Sequence, residues 1–336
     1  MLITKIYKPS EFNEAAKELR LGELVAFPTE TVYGLGADAT NEQAVKRVYL
    51  AKGRPSDNPL IVTVSSLEMV KRFVPSLSKE VEKIIEKFWP GSLTIVLKIK
   101  DGSLSKTVTG GLKTAAFRMP KNETTLNLIT ALGNPIVGPS ANSSGKPSPT
   151  TAQHVYHDLE GRIAGILDDG PTDVGVESTI IDMSTEIPTI LRPGAVTAEE
   201  IEKVIGKEVY SDKHKVKENE IPKAPGMKYK HYAPSAQVLI VNKDNWNSAL
   251  QWANENKNQV GILADDEVLS KALENKTYSL GENIESAAKN LFAGLRYFDD
   301  DNQIKYILAE AFPEEGVGLA YMNRLKKSAG NQFYNK

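Results

Sequence analysis

At 336 residues the chain exceeds one ordinary domain, so two domains are expected, each with its own core. Hydrophobic residues at 40% and charged residues at 25% exclude long disorder, and a formal charge of -2 excludes a global basic field for nucleic acid. The absence of Cys excludes disulfides, thiolate zinc sites and cysteine nucleophiles. No run approaches the roughly 18 apolar residues of a spanning helix, and MLITKIYKPSEF lacks an apolar core with a small-residue cleavage site, so a cytoplasmic protein is expected, with no membrane contact.

In chain order, the first predicted element is an apolar strand over 24–27, stopped by Pro28 and followed by a polar, glycine-rich turn, TETVYGLGADAT. Asn41 caps a helix that places Ala44, Val45, Val48 and Tyr49 on one face, and Gly53 suits its exit. KGRPSDNP then precedes a strand over 60–64. Ser78 caps an amphipathic helix carrying Val81, Ile84, Ile85 and Phe88, which breaks at Pro90 and Gly91 and leads into the strand SLTIVLKI. Strands are predicted at 115–119, 135–138, 165–167, 178–183 and 189–191, with helices over 124–132 and 151–159. Together they read as a mixed sheet with helices against it.

Thr197 and Glu200 form a capping box opening a helix that ends at Ile205. The following segment, SDKHKVKENEIPKAPGMKYKHYAPSA, is polar, charged and proline-containing, and is read as an interdomain linker. Beyond it, the strands QVLIV and QVGILA, a helix over 283–298, the strand IKYILAEAF and a helix over 318–329 alternate as in a small parallel, Rossmann-like sheet. No G-x-G-x-x-G follows its first strand, so a dinucleotide there has no support.

In the first domain, cations and hydroxyls gather at strand ends and turns. Lys52, Arg54 and Asn58 fall in KGRPSDNP, Arg118 ends a strand, and Arg192 precedes Pro193 and Gly194. Guanidinium forks match carboxylate and phosphate oxygens, and a charge-assisted bond contributes roughly 1.5 to 3 kcal/mol, so three or four converging cations would hold a triphosphate. The alternative for each is a surface pair with a neighbouring carboxylate; their shared placement on loops after strands favours a nucleotide. GPSANSSGKPSPTT offers hydroxyls, a Lys and backbone donors running into a helix start, where phosphate is attracted, although in isolation such a composition describes a plain loop. There is no Walker A pattern and no G-x-S-x-G or Ser-His-Asp arrangement, which argues against a P-loop ATPase and an activated serine. His154 and His157 lack a third metal ligand and are read as exposed, and Asp168 and Asp169 are read as turn residues rather than Mg²⁺ ligands.

The segments FPTETVYGLGADA, KGRPSDNPLIV, FWPGSLTIVL, TAAFRMP, VGPSANSSGKPSPTTA, GVESTIIDM and ILRPG, in this order and spacing, closely resemble the YrdC-like threonylcarbamoyl-AMP synthases. APGMKYKHYAP and EEGVGLAYMNRLKKSA match the longer form of that family. The resemblance implies an α/β fold: a YrdC-like twisted mixed sheet with helices over 1–206, a linker over 207–234 covering the active site, and a smaller Rossmann-like parallel domain over 235–336. It implies a nucleotidyltransferase that condenses L-threonine, bicarbonate and ATP into threonylcarbamoyl-adenylate, releasing pyrophosphate. A downstream tRNA threonylcarbamoyl transferase complex would consume the product, so tRNA contact here is indirect or weak. Mg²⁺ would travel with the phosphates rather than occupy a protein cage.

By the same resemblance, Thr31, Thr63, Arg118 and Ser178 would hold threonine, with Arg118 meeting its carboxylate. Lys52, Arg54, Asn58, Thr114, Ser140, Asn142, Ser148, Thr150 and Arg192 would line the ATP side, and Tyr232 would close over the nucleotide. Many relatives carry His where this chain has Thr63, which removes any imidazole acid-base role. Lys228, Lys230, His231 and Tyr232 are unusual for a passive spacer, so the linker is expected to gate the pocket and shield a labile adenylate from water. Two other readings stand beside this one: an RNA-binding protein using the same cations as a phosphate-reading groove, and an adenylate-forming enzyme with a different amine substrate.

Overall fold

Short apolar runs fold as strands and capped amphipathic runs as helices, in the predicted order, and several unpredicted elements join them. The computed structural model describes residues 2–56, 58–211, 222–223, 232–272, 274–299 and 301–335. It opens with β1 (Lys5–Tyr7), α1 (Phe12–Arg20), β2 (Val25–Phe27), β3 (Gly34–Asp38), α2 (Glu42–Lys52) and β4 (Ile61–Thr63). There follow α3 (Leu67–Lys71), α4 (Lys79–Phe88), β5 (Leu93–Lys98), α5 (Lys106–Thr109), β6 (Thr114–Arg118), α6 (Glu123–Leu132) and β7 (Ile136–Val137). Next come α7 (Ala152–Leu159), β8 (Gly165–Leu167), β9 (Thr179–Asp182), β10 (Thr189–Arg192), α8 (Ala198–Ile205) and β11 (Tyr210–Ser211). The C-terminal domain holds β12 (Gln237–Val241), α9 (Trp246–Glu255), β13 (Val260–Ala264), α10 (Asp266–Leu269), β14 (Lys276–Ser279), α11 (Ile284–Asp299), β15 (Tyr306–Glu310) and α12 (Val317–Ala329).

Side chains fix the helix starts where the sequence predicts them. Asn41 accepts from the backbone N–H groups of Gln43 and Ala44, Ser78 from that of Val81, and Thr197 and Glu200 close their capping box. The segment read as a glycine-rich turn is in part a strand, because 34–38 pairs antiparallel with β2 and β7. Glycine weakens the strand signal there, but the packing demands it: a Cβ on Gly34 would lie 2.4 Å from the Phe27 ring.

The first sheet is mixed, in the order β1-β8-β2-β3-β7-β4-β6-β5-β9-β10-β11. Its centre runs parallel between β4 and β6 and between β5 and β9, and antiparallel between β5 and β6. Side chains alternate across a strand. Val62, Ile95, Phe117 and Ile181 therefore point into the main core, where they meet Val45, Ile84 and Ile201 of the helices. Ile61, Val96, Ala116, Ile180 and Leu191 form a small apolar cluster on the opposite face. Two residues along the same strands, with the same parity, stand Thr63, Arg118 and Ser178, so this second face carries the candidate site.

The second sheet is parallel throughout, in the order β12-β15-β13-β14, the Rossmann-like arrangement that its alternating pattern predicts. It docks on the first domain through Val176, Ala288 and Ala320 and through two buried ion pairs, Arg296 with Asp158 at 2.9 Å and Arg324 with Glu177 at 3.0 Å. Among the described residues no helix is long and apolar enough to cross a membrane.

At the carboxyl end of β15, burial pushes the Glu310 carboxyl up to about 7, with the charges of Asp265 and Glu267 adding to it against the amide hydrogen bond from Asp265. An unfolded glutamate ionises near 4.5, so between these values the folded chain holds a proton the unfolded chain has lost. This contribution is fully present below about pH 4.5 and is lost as pH rises through 7. Glu310→Gln should therefore flatten the alkaline-side decline: urea unfolding at pH 5 and pH 8 should show a larger stability loss in the parent chain than in the variant, and equal losses would count against it.

Candidate active site

On the Ile61 and Thr63 face of the first sheet lies a partly open cavity. Its wall gathers Lys52 and Arg54 from the end of α2, Thr63 of β4, Arg118 of β6, Ser140 and Asn142 from the loop after β7, Ser178 before β9, Arg192 of β10, and Tyr232. The three arginines expected to converge do so.

Each cation is held by local chemistry. Lys52 Nζ donates to the carbonyl oxygen of Ser140 and, at 2.6 Å, to that of Asn142, tying the loop after β7 to α2. Burial, with the Arg54 charge adding to it, drives the Lys52 ammonium well below the ordinary lysine range. Arg118 Nη2 lies 2.7 Å from Glu30 Oε1, and its Nε donates to the Gly91 carbonyl at 3.3 Å. Glu30 also accepts from Ser92 Oγ at 2.9 Å and the Lys121 N–H at 3.1 Å. Arg192 donates to Ser178 twice, from Nε to its carbonyl at 3.1 Å and from Nη2 to its hydroxyl at 3.3 Å. Burial, aided by Arg324, lowers the Arg192 guanidinium to about 10, which still leaves it charged at neutral pH.

Two glycines explain motif letters that sequence left bare. A Cβ on Gly194 would stand 2.2 Å from the Thr179 nitrogen, and one on Gly138 would stand 2.6 Å from Thr63 Oγ1. Only glycine permits these approaches, which press Arg192 onto Ser178 and set Thr63 into the cavity floor.

Five of the expected contact residues are not brought to the wall. Thr31 is fully buried beneath it and shares a 2.8 Å hydrogen bond with Thr29, which lines the cavity instead. Thr114 has the same parity as Arg118 but sits at the other end of β6, roughly 13 Å away at 3.3 Å per residue. Asn58 is buried behind the loop after α2, with no hydrogen bond to its Oδ1 among the described residues. Ser148 turns inward to donate to Glu177 Oε1 at 2.5 Å, and Thr150 meets His154 Nδ1 at 3.3 Å. His154 itself is half-buried rather than exposed, and burial lowers its imidazole to about 4. Asp168 accepts from the Gly170 N–H at 3.0 Å, as a turn residue does. Lys228, Lys230 and His231 lie outside the described residues. Tyr232 is described: its φ is +64°, and its ring stands 5.0 Å from that of Phe292.

Sequence reasoning missed the partners of these groups. Glu30 and Glu177 stand in motifs it quoted, but nothing in a single chain says which arginine each will meet. Burial pushes the Glu177 carboxyl up, yet the charges of Arg324 and Arg192 and the Ser148 hydroxyl outweigh it and bring it to about 2.

A mixed α/β sheet that gathers buried arginines and hydroxyls in one cavity, with a parallel α/β domain docked beside it, defines a two-domain protein built to hold small anionic ligands. A family profile described as telomere recombination, Sua5/YciO/YrdC, matches residues 17–194, and one described as the threonylcarbamoyl-AMP synthase C-terminal domain matches residues 196–330. The chain belongs to this family, the threonylcarbamoyl-AMP synthases. It is 48% identical over 323 residues to the threonylcarbamoyl-AMP synthase of Bacillus subtilis (strain 168), covering 95% of this chain and 93% of that one. It is 46% identical to that of Pyrococcus abyssi (strain GE5 / Orsay), covering 94% and 93%. The crystal structure of P. abyssi Sua5 complexed with L-threonine superposes with a TM-score of 0.90 at 43% identity, covering 98% of both chains.

The Glu30–Arg118 pair is buried, and removing one member of such a pair typically costs about 3 to 5 kcal/mol because the other charge stays uncompensated. Glu30→Ala should lower the unfolding free energy by about that amount in urea titration. A loss under about 1 kcal/mol, the size of an exposed pair, would show that Arg118 does not depend on Glu30.

Proposed function

We propose that this chain is a nucleotidyltransferase that condenses L-threonine, bicarbonate and ATP to threonylcarbamoyl-AMP and pyrophosphate. One observation carries the reading: Arg54, Arg118 and Arg192 converge with Ser140, Asn142 and Ser178 in one cavity, in a chain of this family. Bicarbonate yields carbon dioxide by losing hydroxide; threonine's amine adds to the carbon dioxide to form a carbamate, and the proton it loses joins the hydroxide as water. A carbamate oxygen then attacks the α-phosphorus, and the bond to the bridging oxygen breaks as pyrophosphate leaves. The substrate supplies the nucleophile, so the protein need only align two ligands and hold charge where it develops.

Arg118 suits threonine's carboxylate: its Nε donates to Gly91 and its Nη2 pairs with Glu30 by charge, and among the described residues Nη2 has no hydrogen bond. Thr63, one strand across from Arg118 in register, and Ser178 supply hydroxyls beside it. Arg54 and Arg192 suit the triphosphate, beside the loop of Ser140 and Asn142, whose side-chain donors are taken within the chain. Lys52 acts by shaping the loop that carries these two. Mg²⁺ enters as part of the ATP complex. The phosphate oxygens and water would supply most of its ligands. Tyr232 lines the cavity, and the linker it belongs to would shield the adenylate from water. The product would pass to a tRNA threonylcarbamoyl transferase complex, with tRNA touching this chain weakly or not at all.

Burial argues against an RNA groove. Lys52, Arg118 and Arg192 are 3%, 7% and 6% exposed, too deep to follow a polynucleotide backbone.

Pyrophosphate release from ATP should require threonine and bicarbonate together. Arg118→Ala should raise the threonine KM about 10- to 150-fold, since a charge-assisted bond contributes roughly 1.5 to 3 kcal/mol. Release that proceeds equally with no amino acid would end the assignment, and serine or valine outcompeting threonine would assign another amine.

A further inference from the structure

The cavity belongs to the first domain, yet the group that fastens its far wall comes from the second. Arg324 of α12 has no exposed surface. Its Nε donates to Glu177 Oε2 at 3.0 Å, its Nη2 to the Glu177 carbonyl at 3.1 Å, and its Nη1 to the Pro193 carbonyl at 2.5 Å. Residue 177 immediately precedes Ser178, and residue 193 immediately follows Arg192. One guanidinium therefore clasps the two backbone segments that present Ser178 and Arg192 to the cavity. Those segments lie flush, because Gly194 leaves no room for a Cβ against Ser178 and Thr179, so a shift of the Pro193 carbonyl moves Arg192 directly. Glu177 gathers more of the wall at the same point: Ser148 from the loop after β7 donates to it, and so does the Tyr232 hydroxyl.

We infer that Arg324 is a positioning residue of the active site, setting the spacing of Ser178 and Arg192 from the second domain through Glu177 and Pro193. The inference rests on the reading of the cavity proposed above. Arg324 acts through the groups it holds, at the place where the two substrates would meet. Arg118, which would take threonine's carboxylate, is held independently by Glu30 and Gly91. Loss of Arg324 should therefore fall mainly on the alignment of the reacting atoms and on the nucleotide, and on the threonine KM only by about the fivefold that one neutral hydrogen bond, that of Ser178, is worth. A misplacement of about 1 Å can cost on the order of 100-fold in rate. Lysine keeps the charge that Glu177 needs, but it cannot place three donors in a fixed planar fork.

The test compares the full chain with Arg324→Lys and Arg324→Met, each assayed below its own thermal midpoint. Readouts are the midpoint, kcat, the separate KM values, and ATP affinity by calorimetry without turnover. For Arg324→Lys we expect a midpoint close to the parent, a kcat lower by about 10- to 100-fold, weaker ATP binding, and a threonine KM raised by no more than about fivefold. Arg324→Met should add a marked loss of midpoint. A folded Arg324→Lys with parental kcat and ATP affinity would overturn the inference and leave Arg324 a docking residue only, whatever the Met variant does. A threonine KM that rises by more than about tenfold would overturn it too, since that exceeds what the single Ser178 hydroxyl contributes. If the parent chain itself releases no pyrophosphate with threonine and bicarbonate, the proposed reaction fails, and ATP affinity alone then decides the role of Arg324.

Discussion

The structure depends on compensating cations that are almost dry. A charge taken out of water is costly unless it is paired and hydrogen-bonded, and this cavity holds Lys52, Arg118 and Arg192 nearly without exposure. Each has a different answer. Arg118 has a carboxylate with further donors on it, Arg192 has the Ser178 carbonyl and hydroxyl with Glu177 close by, and Lys52 has carbonyl dipoles and an amide oxygen, with the Asp158 charge near enough to favour it. Compensation is thus deliberately incomplete on the ligand side, which leaves a pocket whose unsatisfied potential is positive in a protein of near-neutral charge.

Glu177 is the delicate member of this arrangement. It lines the cavity, where an unpaired carboxylate would repel phosphate. Arg324 and Ser148 take its two oxygens from behind, and with them engaged the carboxylate no longer opposes the arginines in front. The same bonds convert a repulsive group into a fixed anchor for three segments of the wall. Electrostatic need and geometric need are met here by one contact.

Much of this was legible in the sequence where physics is local. Asn41, Ser78 and Thr197 announce helix starts through a side-chain oxygen and the next few backbone N–H groups, and those starts are where they should be. The strand β3 was not legible, because Gly34 and Gly36 carry no strand propensity and are required only by the Phe27 ring and the β2 backbone across from them. In the site, Arg54, Arg118 and Arg192 could be read as a set from their places at strand ends. The hydroxyls sorted less well: Ser148 and Thr150 lie in a loop that reads as phosphate-binding, and both turn inward to Glu177 and His154. Arg324 was beyond reach. It meets Glu177 across 147 residues, and nothing near either one specifies the other.

The sequence points to a linker that gates the pocket; the contacts argue that the second domain itself has a hold on the site. Tyr232 sits at φ +64°, a conformation that costs a non-glycine residue roughly 1 to 2 kcal/mol. It is held there by Val32 of the first domain, Phe292 of the second and the Glu177 carboxylate between them. A residue so strained persists only when its surroundings over-determine it. Those surroundings are the junction of both domains, and Arg324 enters the same junction from the other side. Removing the second domain would therefore take away more than a cover. It would release Tyr232, uncover Glu177 to the phosphate side, and free the segments that hold Ser178 and Arg192 in register. In this chain the domain interface and the far wall of the cavity are one structure, so a force that separates the domains must also dismantle the site.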